Sequence, residues 1–181
     1  EMDRLVEAQI DQILQAQGVQ NLVVIPTISL DFSIFSAPSF YAGDASLQAY
    51  HRGLSWFTYV SFPLDSVSQN LISRAPLIIT MALRNAAIAD QSAMQAWVQM
   101  DEILAFLYGR SQGDDPRRYA ALMDRVYGDG YSILSLSDEA YWQNFRSLAL
   151  AIPVAPAYSF LGSVSLEFAG EKSWRFLGVR R

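Results

Sequence analysis

Apolar residues recur along this chain at helical spacing, in runs that open on capping residues and close on glycine or proline. That pattern restricts it to a fold assembled from packed helices. In "MDRLVEAQIDQILQAQG", Leu5, Ala8, Ile10, Ile13 and Leu14 fall near one face, and Gly18 stops the helix. Asp44 is placed to cap a helix from Ala45 to about Phe62, because its side-chain oxygen can accept the free N–H groups of the first turn. Leu47, Tyr50, Leu54 and Phe57 make the apolar side of that helix, flanked by Trp56 and Val60, and Pro63 ends it. A further helix is predicted from about Ser66 to Ala89, kinked or restarted at Pro76, and another from Asp90 to Tyr108, closed by Gly109.

Asp114 or Asp115 caps "PRRYAALMDRVYG", with Pro116 at the favoured first helical position and Gly128 past the end. Ser137 is expected to open "DEAYWQNFRSLALAI", which Pro153 and Pro156 stop. Two stretches read otherwise. "NLVVIPTISLDFSIF" is β-branched and broken by Pro26, which suits an extended passage or short strand, and the tail alternates at Val164, Leu166 and Phe168 as a strand does. The expected fold is mainly α: a single multi-helix domain over residues 1–181, about six helices with short extended segments.

Composition bears on partners. Of the 181 residues, 51% are apolar and only 17% charged, against roughly 25% charged in an average soluble domain. A surface short of charge points to a chain that hides part of itself against more protein. The net charge of -5 argues against a phosphate-backbone partner, and the basic pairs Arg117-Arg118 and Arg180-Arg181 are too isolated to make a nucleic-acid face. With no cysteine, disulfides, thiol nucleophiles and thiolate metal sites are excluded. The longest apolar run, "APLIITMALRNAAIA", is interrupted by Arg84 and Asn85 and is shorter than the roughly 20 residues that span a bilayer. It reads as a buried helix and not as a transmembrane segment. The chain starts at Glu1 without a basic or apolar leader, which suggests a removed leader or an interior piece.

Few residues carry chemistry. His51 is the lone histidine, and a histidine base needs a nucleophile or substrate proton within reach and a group to orient it. No G-x-S-x-G elbow accompanies it, and its position at the edge of an apolar face suits a structural histidine. Among the carboxylates, Asp114 and Asp115 are the pair to weigh as ligands for a hard cation, although "DDPRRY" lacks the alternating ligands of a calcium loop and helix capping explains such residues as well. The aromatics between Phe32 and Phe62 could line a sugar-binding groove, but fit a core cluster better. The glycines form no phosphate-cradling loop, and no cofactor is indicated.

Asp31-Phe32-Ser33-Ile34-Phe35, Tyr41, Leu47, Tyr50, Arg52 and Trp56 resemble the "DYSQF-x-PRGHYT … L-x-x-YF-x-x-M-x-W" signature of the bacterial and archaeal domain of unknown function family 3160. "WVQMDEILAFLYGRSQGDDPRRYAALMDRVYG" is similar to that family's W … I … F-V-G-x-S-D-D … Y segment, and "WRFLGVRR" to its R-F-M-G-Q-R-F element. The resemblance implies a largely helical, often exported or lipid-anchored protein several times longer, of which this chain would be an interior or shortened part. Pro38-Ser39-Phe40 stands where the family pattern has Arg-Gly-His, and His51 where it has Phe.

The expectation is a noncatalytic interaction or scaffold module, packed through residues such as Trp56 and Trp97 on a partner subunit or on the remainder of its own extracytoplasmic protein. The alternative is an extracytoplasmic hydrolase or glycan-binding domain whose site is shared with further sequence, with Asp31, Tyr41, His51 and Asp114 as the suspected residues.

Overall fold

The computed structural model describes residues 1–64, 70–111, 113–153 and 172–178. Seven α-helices and six short strands are found among them, a mainly helical fold with small sheets. The chain forms two compact units, Glu1–Ser61 and Phe62–Arg181.

In the first unit α1 (Met2–Gln15) ends at Ala16, whose left-handed φ of 49° turns the chain into β1 (Val19–Asn21). Strand β2 (Ser29–Asp31) pairs antiparallel with it in the register Val19–Asp31, Gln20–Leu30 and Asn21–Ser29. The β-branched stretch therefore supplies the connection and the second strand of a hairpin, with Pro26 in the connection, where no ladder N–H is needed. Two 3-10 turns follow, Phe32–Phe35 and Ser39–Tyr41, and lead to α2 (Ala45–Tyr59). As expected, Asp44 caps α2, its Oδ1 accepting from the backbone N–H groups of Ser46 (2.8 Å) and Leu47 (3.1 Å). The helix stops three residues short of Phe62, because Ser61–Pro63 is already extended as β3. The core of this unit comes from the hairpin and the first 3-10 turn: Leu22, Ile28, Leu30, Phe32 and Phe35.

The apolar side of α1 is not buried as the periodicity suggests. Its one buried side chain is Gln9, 4% exposed, while Leu5, Val6, Ile10 and Leu14 are exposed. The reason is a backbone requirement: Gln9 Oε1 accepts from the N–H groups of Val23 (2.8 Å) and Val24 (3.3 Å), which follow the strand and need acceptors. Gln9 Nε2 donates to Gln12, and Gln12 Nε2 donates to Gln20 and to the Asn21 carbonyl, so an amide relay fastens α1 to the hairpin. The aromatic side of α2 is corrected in the same way. Leu47, Tyr50 and Phe57 are exposed, and Ser55 is the residue this helix buries.

The second unit contains α3 (Asn70–Asn85), α4 (Ala93–Tyr108), α5 (Pro116–Tyr127), α6 (Ile133–Ser137) and α7 (Glu139–Ala151). Helix α3 packs on α4 and α5, and α5 on α7. It runs through Pro76, and the predicted start at Ser66 lies outside the described residues. Between α3 and α4 a small hairpin pairs β4 (Ala87–Ile88) with β5 (Gln91–Ser92), and Ser92 with Gln95 forms a reciprocal capping box for α4. Asp115 caps α5 with Pro116 in its first turn. The expected cap at Ser137 is corrected to Asp138, whose Oδ1 accepts from Ala140 and Tyr141, because Ser137 still belongs to the short helix before it. The alternation at Val164, Leu166 and Phe168 lies outside the described residues.

One element was not anticipated: β6 (Ser173–Arg175), which pairs with β3. Trp174 at its centre is fully buried against Phe62 (ring centroids 5.6 Å) and Tyr119 (6.0 Å), and Tyr119 stacks edge-on to Phe145 (5.0 Å). Leu64 N–H donates to the Lys172 carbonyl (2.9 Å) and Trp97 Nε1 to the Phe176 carbonyl (2.9 Å), so residues 172–178 are part of the core.

Candidate functional site

The suspected carboxylates of the second unit take different roles although they are adjacent. Asp115 faces its own helix: Oδ1 accepts from the Arg118 N–H (2.9 Å) and Oδ2 from the Ser111 hydroxyl (3.4 Å). Asp114 points inward and is 2% exposed. Its Oδ1 accepts from Arg118 Nη1 (3.2 Å), its Oδ2 lies 3.8 Å from Lys172 Nζ, and its carbonyl accepts from Arg175 N–H (3.0 Å). Burial raises the Asp114 carboxyl above the ordinary range, opposed by the charges of Lys172 and Arg118. Burial likewise lowers Lys172, opposed by Asp114.

A buried acid and a buried base with displaced proton affinities resemble catalytic equipment. The surroundings assign this pair an internal task. Lys172 also donates to the Ile152 carbonyl at the end of α7. Asp114 and Lys172 side chains are 1% and 7% exposed, so a substrate has no access. The ion pair ties residues 172–178 to the start of α5. Lys172 escaped sequence reasoning because nothing in local spacing links it to Asp114. Among the described residues, no group of three or more His, Asp or Glu could hold a metal ion.

Asp31, Tyr41 and His51 all belong to the first unit. Asp31 is the cap of the first 3-10 turn, its Oδ1 accepting from Ser33 N–H (3.0 Å). His51 Nε2 lies 3.1 Å from the carbonyl of Ile34 in the same turn. A carbonyl only accepts, so Nε2 is the donor in this contact. Tyr41 is brought beside His51, ring centroids 6.1 Å apart, and Phe40 packs edge-on to Tyr41 at 4.4 Å. Helix α2 supplies His51, and the turn before it supplies the two other rings.

The two tryptophans also differ. Trp56 is half-buried, 6.4 Å from the Phe35 ring. Trp97 is 2% exposed, bonded to the Phe176 carbonyl and covered by the Arg117 guanidinium at 5.8 Å. The apolar residues that do reach the surface lie elsewhere. On α1 they are Val6, Ile10 (49% exposed) and Leu14, at i, i+4 and i+8. On α2 they are Leu47, Tyr50 and Phe57. On α4 they are Met100, Ile103 (62%) and Leu107, at i, i+3 and i+7. Each set is a continuous stripe on its helix.

Among the described residues no helix is long and apolar enough to cross a membrane. Comparison with curated proteins and with solved structures returns no match. A family model described as "Protein of unknown function (DUF3160)" matches residues 1–181, in agreement with the motifs around Asp31, Trp97 and Trp174. The chain belongs, over its whole length, to the DUF3160 family.

Proposed function

We propose that the chain is a noncatalytic interaction module whose exposed helix faces pack on further protein, either a partner subunit or other parts of its own polypeptide. One observation carries this reading: the amphipathic helices α1 and α2 turn much of their apolar stripes outward, and α4 adds a third stripe. A helix of this kind ordinarily buries its apolar side. Exposed apolar stripes of this size on a charge-poor chain are the mark of a surface that another protein covers. The test is site-specific photo-crosslinking in the native cell. A probe at Ile10 or Ile103 is expected to yield one discrete protein adduct, while a probe at the exposed polar Arg125 of α5 yields none. Equal labelling from all three positions contradicts the proposal.

A second reading, glycan binding, is favoured by the exposed Phe40 ring set against Tyr41 and His51. Flat rings at a surface stack on sugar faces, and a histidine beside them can hold a hydroxyl. Calorimetry with neutral oligosaccharides tests it: saturable heat that Tyr41→Ala abolishes supports it, and no heat at millimolar sugar rejects it.

A further inference from the structure

Helix α4 has another flank, carrying Glu102, Ala105 and Phe106, and there an open cleft of about 400 Å³ lies between α4 and the start of α5. Asp101, Arg110, Ser111, Asp115 and Arg117 complete its lining, so three carboxylates and two guanidinium groups surround it. Most of these charges are already engaged. Arg117 Nη2 donates to Asp101 Oδ2 (3.3 Å) while its guanidinium covers Trp97, and Asp115 caps α5 and takes the Ser111 hydroxyl. They form fixed walls. Glu102 and Arg110 are the remaining charges, of opposite sign, with no hydrogen bond or ion pair among the described residues.

The separation of these two charges defines what can bridge them. Glu102 precedes Tyr108, the end of α4, by six residues, about 9 Å along the axis at 1.5 Å per residue, and Arg110 lies just beyond. A zwitterion that meets both must carry its charges several ångströms apart. Three extended residues, each reaching at most about 3.3–3.6 Å, span roughly 10 Å and have that length, and a free amino acid does not. The volume suits such a ligand. Phe106, 88% exposed at the rim, offers a ring face to an ammonium group. Arg110 offers paired donors to a carboxylate, with the Ser111 side chain beside it.

We propose that this cleft binds a short unblocked peptide, its N-terminal ammonium held by Glu102 and Phe106 and its C-terminal carboxylate by Arg110. The site goes beyond the interaction role and does not depend on it, since it uses a different flank of α4. Both key side chains are at the surface, so their removal leaves the fold intact.

The test is a titration of the chain, isotopically labelled, with L-alanyl-L-alanyl-L-alanine, followed by amide resonances. Saturable shifts are expected at Glu102, Phe106, Arg110 and Ser111. Glu102→Gln and Arg110→Gln are each expected to weaken binding by about tenfold or more, as are N-acetylation, C-amidation and replacement of the tripeptide by free alanine. Absence of saturable shifts at millimolar tripeptide overturns the proposal. So does equal binding by the two variants, by the blocked peptides, or by free alanine.

Discussion

Burial disfavours the charged form of both Asp114 and Lys172, and each opposes that shift in the other. Removing one partner of such a pair exposes the cost of the other. We expect Lys172→Met to destabilise the chain by about 3 kcal/mol near pH 7, measured by urea unfolding. The pH dependence has a definite sign. A carboxyl whose folded pKa is raised contributes stability below its unfolded value of 3.8, and that contribution is lost as pH rises through the folded value. Without Lys172 the folded value rises further, so the deficit of the variant should shrink on approaching pH 4; a deficit that grows on acidification contradicts this. Asp114→Leu combined with Lys172→Met should recover most of the loss.

Backbone strain gives a simpler case. Ala89 sits at φ 52°, in the left-handed region that a Cβ disfavours. Ala89→Gly should raise stability by about 0.5–1 kcal/mol, and an unchanged or lowered melting temperature refutes it. At this scale the sequence disclosed the acids but not their partners: Asp114 was visible as a carboxylate before a helix, while its pairing with Lys172 exists only because the chain returns from far away.

At the level of elements, local chemistry was readable wherever it is local. Asp44 and Asp115 cap the helices expected of them, Pro116 lies in the first turn, and Gly128 follows the end of α5. The cap of α7 moved by one residue, from Ser137 to Asp138, because the short α6 ends where α7 begins. What the period of apolar residues could not decide is which side of a helix meets the core. In α1 the answer comes from Gln9, since the N–H groups of Val23 and Val24 find their acceptor there. Gln9→Leu keeps the volume and adds apolar character, yet it should cost about 1 kcal/mol by leaving the half-buried Val23 and Val24 donors without their acceptor. Hydrogen exchange should speed up at Val23 and Val24. A variant as stable as the parent removes Gln9 from the list of residues that orient α1.

For the whole molecule, the mainly helical character and the family were legible before any coordinates, from helical spacing, caps and three ordered motifs. The buried strand Ser173–Arg175 was not, because three residues are too few to show a period and Trp174 owes its burial to Phe62 and Tyr119 from distant parts of the chain. The outward apolar stripes were also invisible in the sequence: helical spacing shows that α1 is amphipathic but not that its apolar side faces out, and Tyr50 and Phe57 of α2 read as part of a core cluster. These stripes underlie the central claim that the chain works by covering itself with other protein.

The most direct measurement is a native mass spectrum of the chain purified from its own cells, beside a variant carrying Met100→Glu, Ile103→Glu and Leu107→Glu. The three sites are surface positions of α4, so the variant should keep its fold, checked by circular dichroism. We expect the parent to weigh more than 20.2 kDa, through a stoichiometric protein companion that the folded variant loses or through further polypeptide of its own that covers these faces. A parent chain that is itself a lone 20.2 kDa species would contradict the claim, as would a companion that the three charges leave in place.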